Sequence, residues 1–146
     1  MATRSMIAAT TEKGLIKAIY CHWDGYVSHN GKILFENYTY EDKVQKLLDL
    51  GDLSSLGEEP IDDPQGWDYT KEHDFTKCVS YKARGEKNVE ARLYNNEEKL
   101  LEGAKNCGAE FVYLWKEGRW YVQEIPWWSD LEDKIRIEEE DEAPLF

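Results

Sequence analysis

The spacing of hydrophobic positions changes several times along the chain, and each change marks the edge of an expected element. Residues 5–10 and 15–23 read as β-runs separated by Thr11-Glu-Lys-Gly14, where Gly14 can take the positive φ of a tight turn. In the second run Leu15, Ile19, Cys21 and Trp23 share one face, while Ile16, Ala18, Tyr20 and His22 share the other. Both faces are therefore expected to be at least half covered. A turn follows at Asp24-Gly25, then a short helix over residues 32–38. Thr39 is the expected N-cap of the next helix, with Glu41 and Asp42 in its first turn. Tyr40, Val44, Leu47 and Leu48 fall on one helical face, and Gly51 ends the run.

Periodicity fails over residues 52–74, where Gly57, Pro60, Pro64 and Gly66 interrupt the chain. The expectation is a long irregular loop, a class that in compact domains is usually functional or disordered. Residues 75–83 alternate, with Phe75, Val79 and Tyr81 on one face, and resume the sheet. Asn95 with Glu98 resembles a capping box opening a second helix, in which Leu100, Leu101 and Ala104 align before Gly108. The clearest hairpin follows. Phe111, Tyr113 and Trp115 alternate with Val112 and Leu114, Glu117-Gly118 turns the chain, and residues 119–125 return with Trp120 and Val122 on one face. Near the end, Ser129 with Glu132 suits the cap of a short helix through Ile135, and residues 134–137 suit an edge strand equally well. No internal repeat is visible. These elements predict a single α+β domain over residues 1–128, an antiparallel sheet of about five strands packed by two main helices. An acidic C-terminal tail occupies residues 129–146.

Composition adds a packed core to this picture. The chain has 146 residues, 41% of them hydrophobic, with six Trp, nine Tyr and four Phe. A chain of this size buries roughly two thirds of the surface its unfolded form exposes. Cys21, Cys78 and Cys107 are odd in number and lack CxxC spacing, which predicts free thiols in a reducing cytoplasm. No segment reaches the ~20 apolar residues of a membrane span, and no leader-type apolar run follows Met1, so no membrane association is expected.

Charge narrows the functional classes. Residues 49–74 carry nine acids against one base and residues 129–146 carry eight against two, whereas the whole chain has a formal charge of −12. The negative charge is thus concentrated in two segments on a near-neutral body, which predicts a surface for a basic partner. Direct nucleic-acid binding is disfavoured because no basic stripe exists. The expected contacts are Asp62, Asp63 and Asp68 in the first segment, and Glu138, Glu139, Glu140 and Asp141 in the second, with Phe146 as an anchor. The end of the chain, an acidic run followed by Ala143-Pro-Leu-Phe146, resembles the acidic tip of bacterial single-stranded DNA-binding proteins and the sliding-clamp-binding peptide ending in Leu-Phe. In both, an aromatic side chain fills an apolar pocket while acids meet basic residues at its rim.

Candidate chemistry is densest at Ile19-Tyr-Cys-His-Trp-Asp-Gly-Tyr26. On a strand Cys21 and His22 point to opposite faces and cannot form a nucleophile–base pair. His22 and Asp24 can share a face, which supports only a general acid/base guess. Cys21, His22, Asp24 and His29 lack the usual ligand spacing, so no metal and no cofactor is expected. No catalytic signature is present, and the expectation is a binding protein rather than an enzyme. The alternative is a small-ligand pocket, with Tyr20, His22, Trp23, Asp24, Tyr26 and Trp67 stacking on a nucleotide-like molecule. The order Tyr20-Cys-His-Trp-Asp-Gly-Tyr26, then Asn30-Gly-Lys-Ile-Leu34, then Gly51-Asp-Leu-Ser-Ser-Leu-Gly57 resembles a set of small acidic proteins of phages and prophages. That resemblance implies an anti-defence role in the host cytoplasm, by stoichiometric binding to a basic nucleic-acid-handling host protein.

Overall fold

The segment Ser5–Thr10 is buried almost end to end, which a strand can be only where both faces of its sheet are covered. In the computed structural model, which describes residues 2–124 and 127–135, this strand (β1) pairs antiparallel with β2 (Ile16–Cys21) on one side. On its other side it pairs parallel with β7 (Phe111–Lys116). The intervening elements are α1 (Lys32–Asn37), α2 (Glu41–Asp49), β3 (Leu53–Ser55), β4 (Glu59–Asp62), β5 (Lys77–Ser80), β6 (Arg92–Tyr94) and α3 (Glu97–Asn106). β8 (Arg119–Glu124) and β9 (Trp127–Asp130) complete the sheet, and residues 131–135 are helical. The strand order is β4-β5-β3-β2-β1-β7-β8-β9, with β6 pairing against β2.

The chain is an α+β protein, but its sheet exceeds the expected five strands and is mixed rather than antiparallel. β1–β7, β2–β3 and β4–β5 run parallel. The helices also pack on both faces. On one face Ile7, Ile19, Tyr113 and Trp115 meet Val44, Leu47 and Leu48 of α2, together with Tyr38 and Leu131. On the other Met6, Ala8, Ile16, Ala18 and Leu114 meet Leu100 and Ala104 of α3. Strands sandwiched this way bury adjacent residues as well as alternate ones, which explains the apolar character of both faces of β1 and β2.

Both hairpins form where the pattern places them. Gly14 has φ 81°, and Glu117 and Gly118 have φ 54° and 76°, the paired left-handed conformation of a type I′ turn. Other expectations need correction. The stretch 52–74 is not a continuous irregular loop, since it contains β3 and β4. β5 starts at Lys77, and Phe75 lies outside it with 87% of its surface exposed. The N-cap of α2 is Tyr40, not Thr39; its backbone is extended and its side chain 57% exposed, so it leaves the apolar face that Val44, Leu47 and Leu48 form. The N-cap of α3 is Asn96, not Asn95, and its Oδ1 accepts a hydrogen bond from Lys99 N at 2.9 Å. Asp130 Oδ1 accepts from Glu132 N at 2.9 Å and caps the helical residues 131–135. β9 crosses the 128/129 division, and Leu131 and Ile135 are both core residues. Residues 136–146, including Glu138, Glu139, Glu140, Asp141 and Phe146, lie outside the described residues. Among the described residues no helix is long and apolar enough to cross a membrane.

Candidate functional site

The segment following β2 is a rigid turn held from three sides. His22 N and Trp23 N donate to Leu53 O and Ser54 O, each at 3.0 Å, extending the pairing with β3. Asp24 then takes φ 58°, a left-handed conformation that Asp tolerates better than most residues. Gly25 N donates to Thr3 O, and Tyr113 OH donates to Gly25 O at 2.7 Å. A Cβ at position 25 would lie 2.7 Å from Thr3 O and 2.8 Å from Ser5 Cβ, so only glycine fits. A π-helical turn over Val27–Gly31 then leads into α1. Its buried Asn30 donates from Nδ2 to Trp23 O at 3.2 Å and to Cys21 Sγ at 3.4 Å. Cys21, Gly25, Val27 and Asn30 point inward, which leaves Trp23 45% and Tyr26 39% exposed at the tip. Single-turn π segments and left-handed non-glycine residues recur at functional sites.

The acidic loop is equally fixed, and its carboxylates do the fixing. Asp62 accepts from Ser80 N at 2.9 Å and from Ser80 Oγ at 2.8 Å. Asp63 accepts from Gln65 N at 2.9 Å and Asp74 N at 3.1 Å, closing the loop on itself. Asp68 binds the backbone N and hydroxyl of Thr70, and Asp74 binds those of Thr76, with hydroxyl distances of 2.6 Å in both. These turns are the two copies of an Asp-aromatic-Thr pattern, Asp68-Tyr-Thr70 and Asp74-Phe-Thr76. Each places its aromatic residue outward: Tyr69 is 80% and Phe75 87% exposed. His73 stands between them, with ring centroids 6.2 Å from each neighbour in a stacked row.

Motif and loop meet. Asp24 and His29 from the turn and Ile33 of α1 face Asp63, His73, Asp74, Phe75 and Lys77 across a cleft of about 220 Å³. Backbone N–H groups of Gln65 and Asp74 hold the Asp63 carboxyl below the usual carboxylate range. The Thr70 and Thr76 hydroxyls and N–H groups do the same for Asp68 and Asp74. A carboxylate that accepts such bonds stays ionised at neutral pH. The cleft thus brings the carboxylates of Asp24, Asp63 and Asp74 beside exposed rings, with Ser55 and Lys77 also in its lining and Lys77 Nζ 3.7 Å from Asp74 Oδ2.

Of the loop contacts expected from sequence, Asp68 is exposed, Asp62 is half-buried and Asp63 is only 6% exposed. The aromatic residues of the expected ligand pocket separate into pairs. Tyr20 OH lies 2.7 Å from His22 Nδ1, His22 makes an edge contact with Trp23, and Tyr26 OH donates to Asp24 Oδ1 at 3.4 Å. His22 and Asp24 therefore each engage a tyrosine. Trp67 is held elsewhere, donating from Nε1 to Ser80 O at 2.8 Å and stacking under the Arg84 guanidinium at 4.0 Å. Among the described residues no group of three or more His, Cys, Asp or Glu is placed to hold a metal ion. Sequence reasoning missed Tyr69, His73 and Phe75. The repeated Asp-aromatic-Thr pattern was the available signal, because an Asp that caps a Thr two residues on turns the intervening side chain outward.

No protein-family model, curated protein or solved structure matches the chain. The chemistry of the site itself therefore carries the functional reading.

Proposed function

We propose that this protein acts by stoichiometric binding, presenting the cleft between the Tyr20–Tyr26 turn and the acidic loop to a basic, nucleic-acid-handling host protein. In the phage setting implied by the sequence resemblance, this is an anti-defence accessory protein working in the bacterial cytoplasm as an acidic nucleic-acid mimic. The observation that carries the reading is the row Tyr69–His73–Phe75, exposed and stacked, flanked by carboxylates that are locked and ionised. Two large aromatic residues this exposed are unfavourable on an isolated surface, and buried aromatic anchors dominate binding energy at interfaces. A Lys or Arg side chain of the partner packs on the open face of Phe75 at the end of the row, gaining cation–π attraction and donating charge-assisted hydrogen bonds to Asp24 and, in competition with Lys77, to Asp74. Fixing the carboxylates in advance reduces the ordering cost of association. Mimicry follows from charge: a DNA duplex presents one phosphate per ~1.7 Å of its axis, and clustered carboxylates compete for the same basic surface. In sequence, Glu138, Glu139, Glu140 and Asp141 add four further acids to the chain's negative charge.

The direct test is titration of the protein with an arginine-rich peptide at about 0.05 M and about 0.5 M salt, where the screening length shrinks several-fold. The expected result is affinity at low salt that falls at least about tenfold at high salt and is reduced by Phe75→Ala. Affinity independent of both salt and Phe75 would overturn the proposal.

A further inference from the structure

A second cavity lies on the opposite side of β2 from the α2 core, between β2, β6 and α3. Its volume is about 560 Å³, within the range of small-molecule pockets. Three features give it the character of a built site. The first is a fixed guanidinium. Arg92 Nη1 and Nη2 donate to Asp52 Oδ1 and Oδ2 at 3.0 and 2.8 Å, and the same Oδ1 accepts from Tyr20 N at 2.9 Å. Asp52 is 5% exposed, and its backbone is held by Val89 O and Tyr81 N. Arg92 is thereby oriented from behind while 44% of its side chain stays exposed, leaving outer N–H donors for a ligand.

The second feature is a glycine inside α3. A Cβ at Gly103 would lie 2.5 Å from Tyr94 Oη and 2.7 Å from Tyr94 Cε1. Glycine within a helix is less favourable than alanine, and here it lets the Tyr94 ring lie against the helix as a wall of the cavity. Tyr20 also lines the cavity, and burial pushes its phenol up to about 12, so it stays a neutral, uncharged surface near pH 7. The third feature is charge balance. In a protein of net charge −12, this lining pairs Arg92 with Asp52 and Lys99 with Glu102. Asn106 adds an amide with both donor and acceptor character.

We infer that this cavity binds a neutral nucleoside, its base against Tyr20 and Tyr94, and its polar edge and hydroxyls read by Arg92, Glu102 and Asn106. Every base offers a π-face for stacking, and a mixed donor and acceptor rim matches a base edge and a ribose. Within the lining itself two cations are matched by two carboxylates, leaving no excess positive charge for a phosphate, and Arg4, outside it, is engaged through Nη1 with Cys107 O at 3.4 Å. This site is separate from the cleft and does not depend on the binding role proposed for it.

Cys107 provides the readout, because it lines the cavity and is half-buried, whereas Cys21 and Cys78 are fully buried. The full-length protein is alkylated with iodoacetamide, and modification of Cys107 is followed by mass spectrometry with adenosine, guanosine, cytidine or uridine, and with their 5′-monophosphates. At least one nucleoside is expected to slow Cys107 alkylation about tenfold at saturation, with its monophosphate binding no more than a few-fold tighter. Tyr94→Ala is expected to weaken that protection about tenfold. Glu102→Ala, an exposed helix position, is expected to weaken it about threefold and keeps the test decisive if the tyrosine variant does not fold. Failure of all four nucleosides to protect Cys107, protection unchanged in both variants, or a monophosphate preferred by more than about fivefold would overturn the inference.

Discussion

At the scale of single residues, acidic side chains hold two different roles that a count of charge does not separate. Asp52 is buried and paired with Arg92, and removing one partner of such a pair leaves the other without compensation. Because Arg92 is 44% exposed on its side chain, the cost is smaller than for a fully buried pair. Arg92→Ala is expected to destabilise the protein by about 1–3 kcal/mol, measured as a lower urea midpoint with an unchanged m-value. Asp62, Asp63, Asp68 and Asp74 instead tie down their own loop. Phe75 makes the opposite case. It is 87% exposed, so Phe75→Ala is expected to change stability by less than about 0.5 kcal/mol. The same change is expected to weaken binding to a basic partner about tenfold or more, and a Phe75→Ala variant that loses stability but keeps its affinity would contradict the assignment. The exposure of Phe75 was not legible in the sequence. An aromatic residue at the head of an alternating stretch looks like strand core, and only the Asp74-to-Thr76 cap turns it outward.

At the scale of elements, legibility followed length and redundancy of signal. Both hairpins were readable because each joins alternating apolar runs through a turn that needs left-handed residues, Gly14 in one and Glu117-Gly118 in the other. α2 was readable from Val44, Leu47 and Leu48. β3, β4 and β6 were not, since strands of three or four residues carry too few positions to show a period. The mixed sheet was likewise hidden, because parallel pairing of β1 with β7 joins segments about a hundred residues apart and leaves no local mark. Cap positions shifted by one residue where two candidates stand together. Asn96 accepts the hydrogen bond from Lys99 N, so Asn96→Ala is expected to cost about 1 kcal/mol and Asn95→Ala less than about 0.5 kcal/mol. Equal losses in thermal unfolding would show that the cap is misassigned.

At the scale of the whole molecule, the titrating groups define a stability plateau with two distinct edges. Burial raises Cys21 from 9.0 to about 12, Cys78 from 9.0 to about 11 and Tyr20 from 10.0 to about 12. Their neutral forms are favoured in the folded state, so the unfolded chain loses these protons first as pH rises. Their contribution to stability is therefore full below about pH 9 and falls between there and about pH 12, which urea midpoints across that window will show. On the acid side Asp63, Asp68 and Asp74 are depressed by hydrogen bonds. Their contribution is present above the ordinary carboxylate range and lost as pH falls through the lower folded values. Hydrogen exchange in the loop is expected to quicken there before the β1–β2–β7 centre opens.

Asp24 of the Tyr20–Tyr26 motif and the acidic segment, far apart in the chain, face one another across one cleft. Their convergence was not readable from the chain, because it depends on β3 and β5 bringing the loop back beside the end of β2. The claim that this cleft holds a basic partner is tested most directly by capture from bacterial lysate with the tagged full chain. Wild type is compared with the double variant Tyr69→Ala, Phe75→Ala at low and high salt, with and without duplex DNA. A nucleic-acid-handling protein is expected to be retained at low salt, released by high salt or DNA, and lost from the double variant. Capture indifferent to salt, DNA and both substitutions, or recovery of no nucleic-acid-handling protein, would contradict it.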